Sequence, residues 1–223
     1  YTFFSCVGQS FFIGLFNSSI RDELNISHGE FGTIYGIATL CSSVTLIWLG
    51  KKIDELKLFN YSFLVVIFLG FSALFFSFVN GIVFLAIGIF FLRLSGQGLM
   101  AHTASVAIGR FFDRSRGKAL SYVWIGMSLG EFLLPVIIVY FLTLIYWRNV
   151  WQGVGIIILL TLPIFTYLTI RGINIFSREN SNRHNTSKNA EVIKSWTRKE
   201  VLKDLKFYSI LPAMLASSFI ITG

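Results

Sequence analysis

Arg93 and Glu131 are the only ionised side chains that lie deep inside long apolar runs of this sequence. Neither can be buried alone, because an isolated charge removed from water must find a partner or lose its charge. A buried guanidinium offers a planar fork of donors that fits a carboxylate in bidentate fashion. A desolvated carboxyl is pushed toward neutral pH and can carry a proton. The chemistry suggested is anion binding by Arg93, with proton carriage or charge balance by Glu131.

Each charge belongs to a face at helical spacing. Arg93, Gln97, Met100 and Ala104 follow i, i+4, i+7, i+11 order, and Ser121, Trp124, Ser128, Glu131 and Pro135 do the same. Tyr35, Thr39 and Ser42 form a third stripe, and Ser5, Gln9 and Phe12 a fourth. The candidate solute-binding set is Arg93, Gln97, Gln9, Tyr35 and Ser128. Ordinary hydrogen bonding between helices accounts equally well for each of the four besides Arg93. A structural ion pair is the competing reading of Arg93 with Glu131, although such pairs are weak sources of stability.

The elements that carry these faces are apolar runs of membrane length. Of 223 residues, 54% are hydrophobic and only 13% charged, against about 25% charged in a soluble domain. A bilayer crossing takes roughly 20 helical residues. The runs fall at about 2–16, 31–49, 58–78, 82–108, 119–142 and 150–170, with a seventh beginning at Phe207. Ser27-His28-Gly29-Glu30 has capping-box spacing and marks the start of the second helix. Arg93 lies about 12 residues, roughly 18 Å, below the outer end of its helix, and Glu131 about 11 residues, roughly 17 Å. The two are therefore expected at one depth, in a charge pair or a shared cavity. The third and sixth segments carry almost no polar stripe and read as scaffold facing lipid.

The fold class expected is an all-α membrane protein, a six-helix bundle over residues 1–171. A polar linker over 172–206 would follow, its first half disordered and its second holding a further capping box at Thr197-Arg198-Lys199-Glu200. An incomplete seventh helix would occupy 207–223. Both ends read as truncated, because Tyr1 opens directly in an apolar run and Gly223 stops one short.

The net charge of +8 is explained by topology. Sixteen of the 19 Lys and Arg fall in the connections after the second, fourth and sixth segments. Basic excess marks cytoplasmic loops. Even-numbered helices therefore end in the cytoplasm, and nucleic acid is not implied as a partner. The lipid bilayer is.

Cys6 and Cys41 sit in apolar runs and suit small buried side chains. His28, His102 and His184 are far apart, so no metal or cofactor site is implied. Gly126-Met127-Ser128-Leu129-Gly130 matches the Gly-x-Ser-x-Gly pattern of serine hydrolases, but Ser128 lies mid-helix. The only membrane histidine, His102, is about 10 Å away in depth. A strained turn and a base within reach are missing, so the sequence points away from an enzyme and toward small residues that let helices approach. A seven-helix receptor or a membrane sensor without transport activity is the alternative. The charge bias, which puts the N-terminus inside, speaks against it.

The pattern resembles the N-terminal half of a major facilitator superfamily transporter. Gly50-Lys51-Lys52-Ile53-Asp54 lies where that family has Gly-x-x-x-Asp between its second and third helices, although Glu55 and Lys57 replace a basic residue and a glycine. Arg93-Leu94-Ser95-Gly96-Gln97-Gly98 resembles its intramembrane Arg-x-x-x-Gln-Gly motif. Gly109-Arg110-Phe111-Phe112-Asp113-Arg114 resembles its basic connection before the fifth helix. Gly126–Gly130 stands at its Gly-x-x-x-Gly-Pro position, with Glu131 in place of proline. The resemblance implies secondary active transport of a small organic anion by alternating access, without a cofactor and with protons as a coupling partner. It also implies a C-terminal half beyond this chain and a cytoplasmic gating motif at Gly50, Asp54, Asp113 and Arg114. The oxalate–formate and monocarboxylate branch, in a bacterial inner (plasma) membrane, is the expected setting.

Overall fold

A computed structural model describes residues 1–111 and 116–184, with Asp204, Tyr208, Ser209 and Pro212. It divides into two compact units, Tyr1–Ser177 and Arg178–Gly223. The Thr197–Glu200 capping box lies outside the described residues, as does most of the expected seventh helix.

The described chain is helical, with no strand among the described residues. In order it forms α1 (Thr2–Ser5), a 3-10 turn (Cys6–Gly8), α2 (Ser10–Gly14), α3 (Asn17–Leu24), α4 (His28–Glu55) and α5 (Leu58–Ser77). Next come α6 (Ile82–Leu92), a π-helical segment (Arg93–Met100), α7 (Ala101–Phe111), α8 (Arg116–Leu144) and α9 (Trp147–His184). Among the described residues, five helices are long and apolar enough to cross a membrane, counting Ile82–Phe111 as one. The expected capping box is present: Glu30 N–H donates to Ser27 Oγ at 3.2 Å, and Ser27 N–H donates to Glu30 Oε2 at 2.7 Å.

Three expectations are corrected. The first segment is not one helix, because Gln9 is extended (φ −82°, ψ 157°) and separates two short helical pieces. The fourth helix widens to π geometry from Arg93 to Met100, so the 3.6-residue spacing used to align its face does not hold there. Helix α9 runs on to His184, through part of the segment expected to be a disordered linker. The connection after the first segment is also richer than its polarity suggested. It holds α3, closed by Asn25 at φ 52°, a left-handed conformation that asparagine tolerates better than most residues.

The two irregularities meet. A Cβ added to Gly8 would lie 2.3 Å from the Leu92 carbonyl oxygen and 2.7 Å from the Gln97 nitrogen. One added to Gly96 would lie 2.7 Å from the Gly8 Cα. Glycine at both positions lets the first segment and the π segment touch backbone to backbone. Without a hydrophobic drive in lipid, such close van der Waals contact is what holds helices together. Helix α8 uses the same device, since added Cβ atoms on Gly126 and Gly130 would meet Thr2 Oγ1 at 2.6 Å and Cys6 Sγ at 2.5 Å. Thr2 Oγ1 also donates to the Val123 carbonyl at 2.5 Å.

Below α3, the Trp151 ring packs against Phe12, Phe16 and Phe76 at centroid distances of 5.4, 5.0 and 4.7 Å. Burial then sorts the spans differently from their polarity. In the most apolar window of each, 44% of α5 and 50% of Ile82–Phe111 is buried, against 11% of α4 and of Gly117–Leu144. The third segment is thus held inside this unit. The polar stripe of α8 (Ser121, Trp124, Ser128 and Glu131) faces away from it.

Candidate functional site

Arg93 opens the π segment at its crossing with the broken first segment. It is 7% exposed and makes no ion pair among the described residues. Its Nη1 donates to the Gly8 carbonyl at 3.3 Å and to Ser10 Oγ at 3.2 Å. The guanidinium carbon stands 5.3 Å from the centroid of the Tyr35 ring, within cation–π range. Tyr35 Oη in turn donates to Ser10 Oγ at 2.8 Å. Neutral groups on the 3-10 turn, α2 and α4 thus hold one end of the guanidinium.

The other edge is different. Arg93 Nε is buried and has no hydrogen-bond partner, one of three such side-chain atoms among the described residues. A second is Thr39 Oγ1, one turn along α4 from Tyr35. Buried donors are nearly always satisfied, so an orphaned N–H on a buried cation calls for an acceptor. Gln9 and Gln97 are half-buried at the same crossing. Their amides make no side-chain hydrogen bond among the described residues, and a ligand that reaches this crossing meets them unengaged.

Of the two arrangements expected for Arg93 and Glu131, a charge pair or a shared cavity, the charge pair is not formed. Glu131 is exposed on α8, while Arg93 turns to the first segment and Tyr35. Equal depth puts two residues at one level but says nothing of the direction each takes around its own helix. Ser128, also exposed, donates back to the Trp124 carbonyl at 3.5 Å. His102 lies elsewhere, against α4, where its Nε2 is 3.2 Å from the Gly50 carbonyl oxygen. A carbonyl only accepts, so Nε2 carries the hydrogen.

At the expected cytoplasmic end, Asp54 Oδ1 pairs with Arg110 Nη2 at 3.0 Å, and the same nitrogen donates to the Ile53 carbonyl at 2.7 Å. This ties the end of α4 to the end of α7. Asp113 and Arg114 lie outside the described residues.

At the other end, Glu23 on α3 gathers three side chains from the start of α9 and the turn before it. Trp147 Nε1 donates to its Oε2 at 2.7 Å, and Arg148 Nη2 donates to its Oε1 at 2.6 Å. Tyr146 Oη donates to Oε2 as well. Arg148 Nη1 also donates to the Ser77 carbonyl at 2.9 Å, which brings in the end of α5. Burial pushes the Glu23 carboxyl up. Hydrogen bonds from Tyr146, Arg148 and Trp147 outweigh it and hold the group below its usual range.

Sequence reasoning missed Ser10, Arg110 and the Glu23 cluster. Ser10 lies one residue off the aligned face, and only the break at Gln9 turns it toward Arg93. The signal available was glycine in both apolar runs, at Gly8 and Gly96.

Membrane-length helices, with a buried arginine that forms no ion pair among the described residues, define a multi-pass integral membrane protein. The family model of the Major Facilitator Superfamily matches residues 1–223, and the chain belongs to that superfamily. Its members are membrane transporters that carry small solutes across the bilayer. No curated protein and no solved structure matches the chain.

Proposed function

We propose that this chain supplies one half of a secondary active transporter that moves a small organic anion by alternating access, with Arg93 as the anion-binding group. The observation that carries this is the state of Arg93: 7% exposed and, among the described residues, with no carboxylate paired to it and no acceptor for its Nε. A carboxylate on that edge gains charge-assisted hydrogen bonds in a site of low dielectric. Tyr35, Gln9 and Gln97 supply further contacts from around the crossing. Glu131 and Ser128 enter from α8, with Glu131 carrying a coupling proton or balancing the Arg93 charge once the stripe of α8 faces a closed cavity.

The C-terminal half of the same protein covers the exposed faces of α4 and α8, and the solute lies between the halves. Gly50, Asp54, Asp113 and Arg114 form the cytoplasmic gate, which the Asp54–Arg110 pair braces in the state described above. The setting is a bacterial inner membrane, and the solute is of the oxalate–formate or monocarboxylate type.

Uptake of small carboxylates into proteoliposomes by the full-length protein tests this. Arg93→Ala abolishes uptake, and Glu131→Gln changes its pH dependence. Unaltered uptake and an unaltered pH profile in the two variants sink the assignment.

A further inference from the structure

We infer that Tyr35 is a positioning residue for anion binding: its ring holds the Arg93 guanidinium in pose before the solute arrives. This rests on the reading of Arg93 as the anion-binding group.

The hydrogen bonds of Arg93 leave that pose loosely fixed. Both run from one nitrogen, Nη1, to the Gly8 carbonyl at 3.3 Å and to Ser10 Oγ at 3.2 Å. N–H···O bonds centre on about 2.9 Å, so both are long and hold only one tip of a long side chain. Nε has no acceptor among the described residues. The five donors of a guanidinium form one rigid fork, so a change of pose redirects all of them together.

Tyr35 supplies the missing restraint. The guanidinium carbon stands 5.3 Å from its ring centroid, and a desolvated cation over an aromatic face is held by the ring's quadrupole. Tyr35 Oη donates to Ser10 Oγ at 2.8 Å, and Ser10 is itself an acceptor of Nη1. One side chain thus meets the cation and steadies one of its acceptors. The Tyr35 ring is backed in turn. Phe31, buried and one turn earlier on α4, stacks on it with centroids 6.4 Å apart and planes 22° apart. The line of contact runs from Phe31 through Tyr35 to the first residue of the π segment.

An aromatic ring steadies a cation without neutralising it, so the charge stays available to an anion. No carboxylate pairs with Arg93 among the described residues. A guanidinium already in pose loses less freedom when it binds, which is the gain of preorganisation. Tyr35 therefore acts through Arg93, beside any contact it makes with the solute itself.

Isothermal titration of the full-length protein with formate, acetate, lactate and oxalate tests the assignment. Wild type is expected to bind at least one of them. Tyr35→Leu removes the ring and is expected to weaken that carboxylate about tenfold. Tyr35→Phe keeps the ring and is expected to cost no more than about threefold. Phenylalanines carrying one, two and three ring fluorines, introduced at position 35, give the readout that packing alone does not move. Each fluorine draws electron density from the ring face with little change in size, and affinity is expected to fall with each. Were the ring face to meet the solute instead, the series would strengthen binding, because an electron-poor face attracts an anion. Affinity unchanged in Tyr35→Leu, or level or rising along the fluorinated series, while Arg93→Ala loses the carboxylate, overturns the Tyr35 assignment alone. The series keeps the ring, so it decides the matter even where Tyr35→Leu does not fold. If wild type binds none of the four, or Arg93→Ala still binds, the anion-site reading fails and this inference fails with it.

Discussion

Two arginines in this chain are tied down in opposite ways. Arg148 meets a carboxylate head on: it donates through Nε and Nη2 to Glu23, through Nη1 to the Ser77 carbonyl, and lies over the Trp147 ring at 4.7 Å. Arg93 is more deeply buried, yet it has a serine, a carbonyl and a tyrosine ring for company and an N–H left over. A cation whose donors are met by its own chain is a fastener. A cation kept in place by neutral groups, with no carboxylate paired to it among the described residues, is the one proposed here to take a ligand.

Breaking the two arginines in turn separates these roles. Arg93→Ala removes the charged partner of a buried ligand contact and weakens anion binding by about 2–5 kcal/mol, enough to abolish uptake in a proteoliposome assay. Its thermal stability holds or rises, since an unpaired buried charge is removed. Arg148→Ala reverses the pattern: the protein loses about 1–3 kcal/mol of stability because Glu23 loses its cationic partner and the Ser77 carbonyl its donor, and the folded fraction still transports. A thermal melt of each variant, read beside its uptake rate, checks both halves.

The crossing that places Arg93 can be tested without touching its charge. Gly96→Ala sets a methyl 2.7 Å from the Gly8 Cα, and backbone cannot yield as a flexible side chain can. The expected cost is about 1–3 kcal/mol, seen as a lower melting temperature, together with weaker anion binding as Gly8 and Ser10 are pushed off Nη1.

Acid sharpens the contrast. The Glu23 carboxyl lies below its ordinary value of 4.5 in the folded chain. Its contribution to stability is full above that value and is lost as pH falls through the lowered one. Between neutral pH and about pH 3, wild type should lose more melting temperature than Glu23→Gln, which has no carboxyl to protonate. Equal slopes show that the cluster contributes nothing. The smallest effect is expected at Asp54, whose side chain is 71% exposed in its pair with Arg110. Asp54→Asn changes stability by less than about 1 kcal/mol in a denaturation experiment, so any large change in transport there reports gating rather than folding.

Much of this was legible in the sequence. Arg93 stood out because a charge in an apolar run has few tenable explanations, and Ser27–Glu30 because its capping chemistry is local. Gly126 and Gly130 read correctly as packing residues, since small side chains at one-turn spacing let helices close. The break at Gln9 and the π segment were hidden, because aligning residues at 3.6 per turn assumes the regularity that both abolish. Ser10 was lost with them. The Glu23 cluster escaped because its members are more than a hundred positions apart, in connections read only for the sign of their charge. Depth along a helix is countable from sequence, but direction around it depends on neighbours, which is why counting residues could not say whether Arg93 and Glu131 pair.

The most direct test is a structure of the full-length protein bound to a small carboxylate. The account expects the carboxylate within hydrogen-bonding distance of Arg93 Nε, with Nη1 still on the Gly8 carbonyl. A carboxylate bound elsewhere, with Arg93 Nε still without an acceptor, contradicts it.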